Sequence, residues 1–225
     1  DTLRSEGGQR SQLRGKRGEF IDSVSGINPL VYDNRVRITN VRENGKNRIV
    51  TIGSSGQIEL SPVHNIIYDQ LARNDWLIRG EVTPKKLRRF NSLPGELFVS
   101  GDYESATDGL SIELYEFLIQ CVLRNAHYIP DNIKLACLAS VKSDLYDEKG
   151  VFRGTQTRGQ LMGNKLSFPF LCLTNYLVFK FAVPRNVPVA INGDDIVFRC
   201  TPEERDSWYH GVKKGGFVLS RGKTL

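Results

Sequence analysis

Asp194 and Asp195 stand side by side between two apolar runs, Val187 to Ile191 before them and Ile196 to Phe198 after them. Short β-branched runs interrupted by Asn192-Gly193 read as two strands joined by a tight turn. Adjacent carboxylates at the tip of an apolar hairpin repel each other and pay for lost hydration. Such a pair persists where something neutralises it, which makes this turn the most constraining feature of the chain.

The rest of the pattern places further elements around the turn. "VRITNVRENGKNRIVTI" (36–52) has two β-prone runs about Asn44-Gly45, residues that tolerate positive φ, and predicts a basic hairpin carrying Arg37, Arg42, Lys46 and Arg48. Ser61-Pro62 predicts a helix start with Ser61 as cap, followed by Val63, Ile66, Ile67 and Leu71 at helical spacing. Residues 96–102 predict a strand ending at Asp102, and Asp108 is expected to cap the helix after it. Short strands fit within 135–153. A glycine-bearing loop leads into a long apolar helix expected from about 163 to 181. Thr201 and Glu204 have capping-box spacing, Gly215-Gly216 should end that helix, and 217–220 reads as a last strand. The order is that of an α+β fold, an antiparallel sheet with helices on one face.

Among 225 residues the net charge is +6, which fits an anionic partner, nucleic acid first. The four cysteines form no CxxC or Cys/His cluster, so reduced thiols are expected rather than a zinc site or disulfide framework. The most apolar segment, 166–183, is broken by Ser167, Pro169, Asn175 and Lys180 and reads as a buried helix, not a membrane span. Residues 1–20, rich in Gly, Ser, Gln and Arg, predict a loop or arm. Both ends look cut, as in a fragment of a longer chain.

Strand ends at Asp102 and at the Asp194-Asp195 turn meet if the two strands are sheet neighbours. Clustered carboxylates lose charge or hold a cation, and oxygen-only ligands suit Mg²⁺, or Mn²⁺ in its place. Two such ions roughly 4 Å apart activate an attacking hydroxyl and stabilise a leaving oxygen at phosphorus. A GDD triplet alone is weak, since it arises by chance in about one chain of this length in twenty. The ordered combination is far more specific.

That combination resembles a viral RNA-dependent RNA polymerase, in the form found in ourmia-like and narna-like positive-strand RNA viruses. "SGDYESATDGL" (100–110) is similar to motif A, "RGQLMGNKLSFPFLCLTN" (158–175) to motif B and "NGDDIVF" to motif C. "GGFVLSRGKT" resembles motif D, and "ENGKNRIVT" resembles the basic finger motif F. The resemblance implies a right-hand palm at 96–225 with an inserted fingers segment around 127–160. It implies partial fingers at 1–95 and a missing thumb.

It also implies roles for particular residues. Asp102 and Asp194 would hold metal ions, with Asp195 alongside as weaker ligand or tuning charge. Asp108 would meet the ribose 2′-hydroxyl of the incoming nucleotide, joined by Ser167 and by Asn164 or Asn175. Lys46 and Arg48 would neutralise the triphosphate, Arg37 and Arg42 that group or template phosphates. Gly159 and Gly163 would let the backbone approach RNA closely, and Lys223 would protonate departing pyrophosphate. Partners would be template and product RNA and NTPs, in the host cytoplasm or mitochondria. Two other readings stay open. A reverse-transcriptase palm usually has an aromatic two residues before its aspartates, where this chain has Asn192-Gly193. A non-catalytic RNA-binding fragment fits the basic charge.

Overall fold

A computed structural model describes residues 32–43, 45–220 and 224. In chain order the elements are β1 (Arg35–Glu43), β2 (Lys46–Gly53), a 3-10 turn (Ser55–Leu60), α1 (Ser61–Leu71), β3 (Leu97–Gly101), α2 (Ile112–Arg124) and α3 (Asp131–Ala139). They continue with β4 (Asp144–Tyr146), β5 (Phe152–Thr155), α4 (Ser167–Ala182), β6 (Val189–Asn192), β7 (Asp195–Cys200) and α5 (Pro202–Lys214). The expected arm at 1–20 lies outside the described residues.

Two sheets form. The first has the order β2-β1-β4-β5. β1 and β2 make the predicted antiparallel hairpin, Glu43 opposite Lys46, with Gly45 at φ +78° in its turn. β4 lies parallel to β1, Arg35 opposite Asp144, so this sheet is mixed rather than wholly antiparallel. A parallel neighbour needs a long connection, and here the whole stretch from β2 through α3 supplies it. The inserted segment therefore shares a sheet with the basic hairpin. The second sheet, β3-β7-β6, is antiparallel throughout, with Leu97 opposite Cys200 and Val189 opposite Phe198.

Alternation along these strands builds the main core. Val99, Ile196, Phe198 and Cys200 point to Phe179, Trp208 and Val212 on α4 and α5. A second cluster joins Val63 and Ile67 of α1, Tyr115 and Ile119 of α2, Cys137 of α3 and Phe170 of α4. Both clusters contain residues of α4. No helix among the described residues is long and apolar enough to cross a membrane. All four cysteines are free thiols.

Several boundaries differ from expectation. Ser61 is the first residue of α1 and makes no side-chain cap bond, because the 3-10 turn runs straight into the helix. Ser111, not Asp108, caps α2, accepting from the Leu114 amide at 3.1 Å. α4 starts at Ser167, four residues later than predicted, because 163–166 form turns packed on β2. The expected last strand at 217–220 reduces to a single bridge, Tyr103 to Leu219. Its partner strand stops at Gly101, and Ser105 at φ +47° turns the chain away soon after. The capping box of α5 is present as predicted, with both reciprocal bonds.

Candidate active site

β3 and β7 pair as far as Gly101 opposite Ile196, so Asp102, one residue further, lies just past the strand end at which Asp195 begins β7. Side chains alternate between the faces of a sheet. Gly101 and Ile196 face the helices, where Gly101 lies against the Trp208 ring. Asp102 and Asp195 consequently fall on the open face, and Asp194 occupies the turn. Asp102 and the adjacent pair Asp194-Asp195, remote from it in sequence, share one end of one sheet. Their fields meet there: burial raises the Asp195 carboxyl above its ordinary range, and the charges of Asp194 and Asp102 push it the same way.

The turn is held from below by one stripe of α4. Phe168, Cys172 and Asn175 follow i, i+4, i+7 spacing and so share a helix face. The Asn175 amide nitrogen donates to the carbonyls of Gly193 (3.1 Å) and Asp194 (3.2 Å). Its oxygen accepts from the Tyr103 hydroxyl at 2.9 Å. The Cys172 sulfur accepts from the Gly193 amide at 3.2 Å. Gly193 has φ +67°, and a methyl there would come within 3.0 Å of the Phe168 ring. Burial, with the nearby charge of Asp194, drives the Tyr103 hydroxyl far above its ordinary range, so it stays protonated and able to donate. Tyr103 and Cys172 were not singled out by motif; the helical spacing of 168, 172 and 175 was the available signal.

Asp108 is exposed, with its amide donating to the Ser105 carbonyl at 2.8 Å. The other residues expected in a ribose network are engaged within the protein. Ser167 is buried and its hydroxyl donates to Leu161 at 2.7 Å. Asn164 is buried, donating to the Ser140 carbonyl at 2.6 Å and accepting from the Leu166 amide at 2.8 Å. Asn175 is wholly buried. Asn164 and Ser167 thus satisfy backbone groups at the end of α3 and in the loop ahead of α4, and Asn175 those of the β6-β7 turn.

Gly159 and Gly163 each lie tight against the chain's own backbone. A methyl on Gly159, at φ +83°, would stand 2.8 Å from the Thr107 carbonyl oxygen. The neighbouring Gln160 amide donates to that oxygen at 2.9 Å. A methyl on Gly163 would stand 2.5 Å from the Thr51 carbonyl oxygen of β2. The loop ahead of α4 thus joins the Asp108 loop to the basic hairpin. On that hairpin Arg37, Arg42 and Arg48 are exposed. Register puts Arg37 and Arg48 on one face and Arg42 on the other, and Lys46 opens β2. Lys223 lies outside the described residues.

Among the described residues no three His, Cys, Asp or Glu side chains gather closely enough to hold a metal by themselves. The oxygen-only donors at this strand end are of the kind a hard divalent cation such as Mg²⁺ takes, completing its shell with water and substrate phosphates rather than a protein cage.

No protein-family model matches the chain. The RNA-dependent RNA polymerase of Ourmia melon virus (isolate Melon/Iran/VE9) is similar, 30% identical over 171 residues, covering 66% of this chain. The chain spans 18% of that relative's length.

Proposed function

We propose, from a chain that is similar over 66% of its length to a viral RNA-dependent RNA polymerase, that it carries the catalytic palm of such an enzyme with part of the fingers. The reaction is RNA-templated RNA synthesis. The 3′-hydroxyl of the growing strand attacks the α-phosphorus of an NTP, and pyrophosphate leaves. The supporting observation is the pairing of Gly101 with Ile196, which brings the next residue, Asp102, to the strand end where Asp195 and the Asp194 turn lie.

Asp102 and Asp194 would hold Mg²⁺, with Asp195 a weaker ligand beside them. Bound there, the ions would lower the cost of the attacking hydroxyl's ionisation and of charge on the leaving phosphate. The remaining roles belong to this chain's own groups. Asp108, free of a capping bond and exposed, accepts from the ribose 2′-hydroxyl, a group that DNA precursors lack. Lys46 and Arg48 neutralise the triphosphate, Arg48 with a fork suited to two phosphate oxygens. Arg37 and Arg42 hold template phosphates. Lys223 protonates pyrophosphate. Asn175, Ser167 and Asn164 act through position, fixing the turn and the loop rather than touching the nucleotide.

The test is labelled NTP incorporation on a short RNA template by a polymerase chain that contains this segment, with and without Mg²⁺. Asp194→Asn should lower incorporation on the order of a thousandfold, the several kcal/mol a catalytic metal contributes, while RNA affinity stays within a few fold. Retained synthesis would remove Asp194 from the site.

A further inference from the structure

The open face of the β3-β7-β6 sheet is crossed by the segment 78–91. Its start is stitched to β6, the Ile78 amide donating to the Ile191 carbonyl and the Ile191 amide to Trp76, both at 2.8 Å. Its end is fixed where the Arg199 guanidinium donates to the Asn91 carbonyl at 2.6 Å and Phe90 stacks on Phe98. Between them lies a turn, "TPKKLRRF", closed by the Lys86 amide on Thr83 (2.9 Å) and the Phe90 amide on Leu87 (2.9 Å). Leu87 and Val82 form one wall of a groove whose other wall is Ala190, Val197 and Asp195. Leu87 and Val82 thus seat a turn that carries four cations, Lys85, Lys86, Arg88 and Arg89, at a groove that Asp195 also lines.

The four are not equivalent. The Lys86 ammonium is spent on the carbonyls of Arg79 (2.5 Å) and Glu81 (2.8 Å), and Arg89 pairs with Asp75 at 3.1 Å. Lys85 and Arg88 are exposed and make no ion pair or side-chain hydrogen bond among the described residues. Neither pairs with Asp195, although Leu87 between them shares its groove. Like charges this close in sequence repel, and the apolar seat keeps them from the nearest acids. Lys85 and Arg88 remain available for partners of opposite sign.

We infer that the turn at 83–90 is a phosphate-binding element, Lys85 and Arg88 holding backbone phosphates of the product RNA strand a few nucleotides behind its 3′-hydroxyl. The inference rests on the proposed polymerase reading, under which the strand extended at the Asp194 tip is the polyanion next to the groove that Leu87 shares with Asp195. Phosphate contacts of this kind position a strand without reading its sequence.

The experiment measures binding of a fluorescein-labelled RNA primer–template duplex by anisotropy across salt concentrations. It compares the unmodified chain, Lys85→Glu/Arg88→Glu, and the charge-matched control Arg124→Glu/Lys149→Glu, whose residues are exposed on other elements. Each lost phosphate contact removes about 0.9 from the slope of log affinity on log salt. Losing two should reduce the affinity drop between about 50 and 200 mM salt by roughly tenfold. The expected result is that shallower slope, with weaker binding at low salt, in the Lys85/Arg88 variant and not in the control. Equal slopes in all three proteins, or equal losses in both variants, would overturn the turn's role and leave the polymerase reading standing. RNA binding by none of the three would overturn both. Unchanged thermal unfolding of the variant excludes loss of fold as the cause.

Discussion

Asn175 carries three bonds that tie three sequence motifs together: Tyr103 beside Asp102, its own helix, and the Gly193-Asp194 turn. Truncating it strands a buried hydroxyl and leaves two turn carbonyls without their donor, each orphan costing about 1–3 kcal/mol. Asn175→Ala is expected to lower kcat for NTP incorporation by at least about tenfold with little change in the KM for NTP, because the turn moves and the nucleotide contacts do not. A KM effect alone would return Asn175 to the nucleotide site. Asp102, Asp194 and Asp195 were legible as a candidate cluster because like charges in an apolar hairpin need a reason. The use of Asn175 was not legible, since a buried helix asparagine looks the same whichever partner it finds.

At the scale of elements, α5 shows local code carried through intact. Its Thr201–Glu204 capping box forms, with the Thr201 amide donating to the Glu204 carboxylate at 2.9 Å. The Arg185 guanidinium adds two bonds to the same carboxylate, at 2.8 and 2.7 Å. That fork, the largest influence, holds the Glu204 carboxyl below its ordinary range. A lowered carboxyl contributes stability above its unfolded value, near 4.3, and loses it as pH falls through the lowered value. Glu204→Gln should therefore melt lower than the parent at neutral pH, by about 1 kcal/mol for a partly buried cap and ion pair. The gap should close as the solution is acidified below that range; thermal unfolding against pH checks it, and a pH-independent gap would assign the loss to packing. Elsewhere neighbours overrode local code. Asp108 yielded the cap to Ser111, and the last strand shrank to one bridge because its partner ended at Gly101.

The described residues form two hydrophobic clusters joined by α4, Phe170 in one and Phe179 in the other. Trp76 and Trp208 both sit in the sheet cluster, so tryptophan emission reports that half alone. Phe170→Ala removes a ring from the opposite cluster, where it meets Tyr115 edge-on at 5.5 Å, and should cost about 3–5 kcal/mol. If α4 couples the halves, the fluorescence melt shifts down together with the circular-dichroism melt. Separate transitions would mean that the clusters unfold independently. Strands, helices, turns and the acidic hairpin were determined by the sequence itself, because alternation, helical spacing, caps and positive-φ residues act over a few neighbours. Tertiary structure alone decided the parallel pairing of β1 with β4 and the β3-β7 register that brings Asp102 to the strand end where Asp195 lies. It also decided the seating of the basic turn on the open face and the use of Gly159 and Gly163 as clasps between loops. Each of those joins residues far apart along the chain, and such pairings are chosen by the collective fit of the buried faces rather than by any local preference.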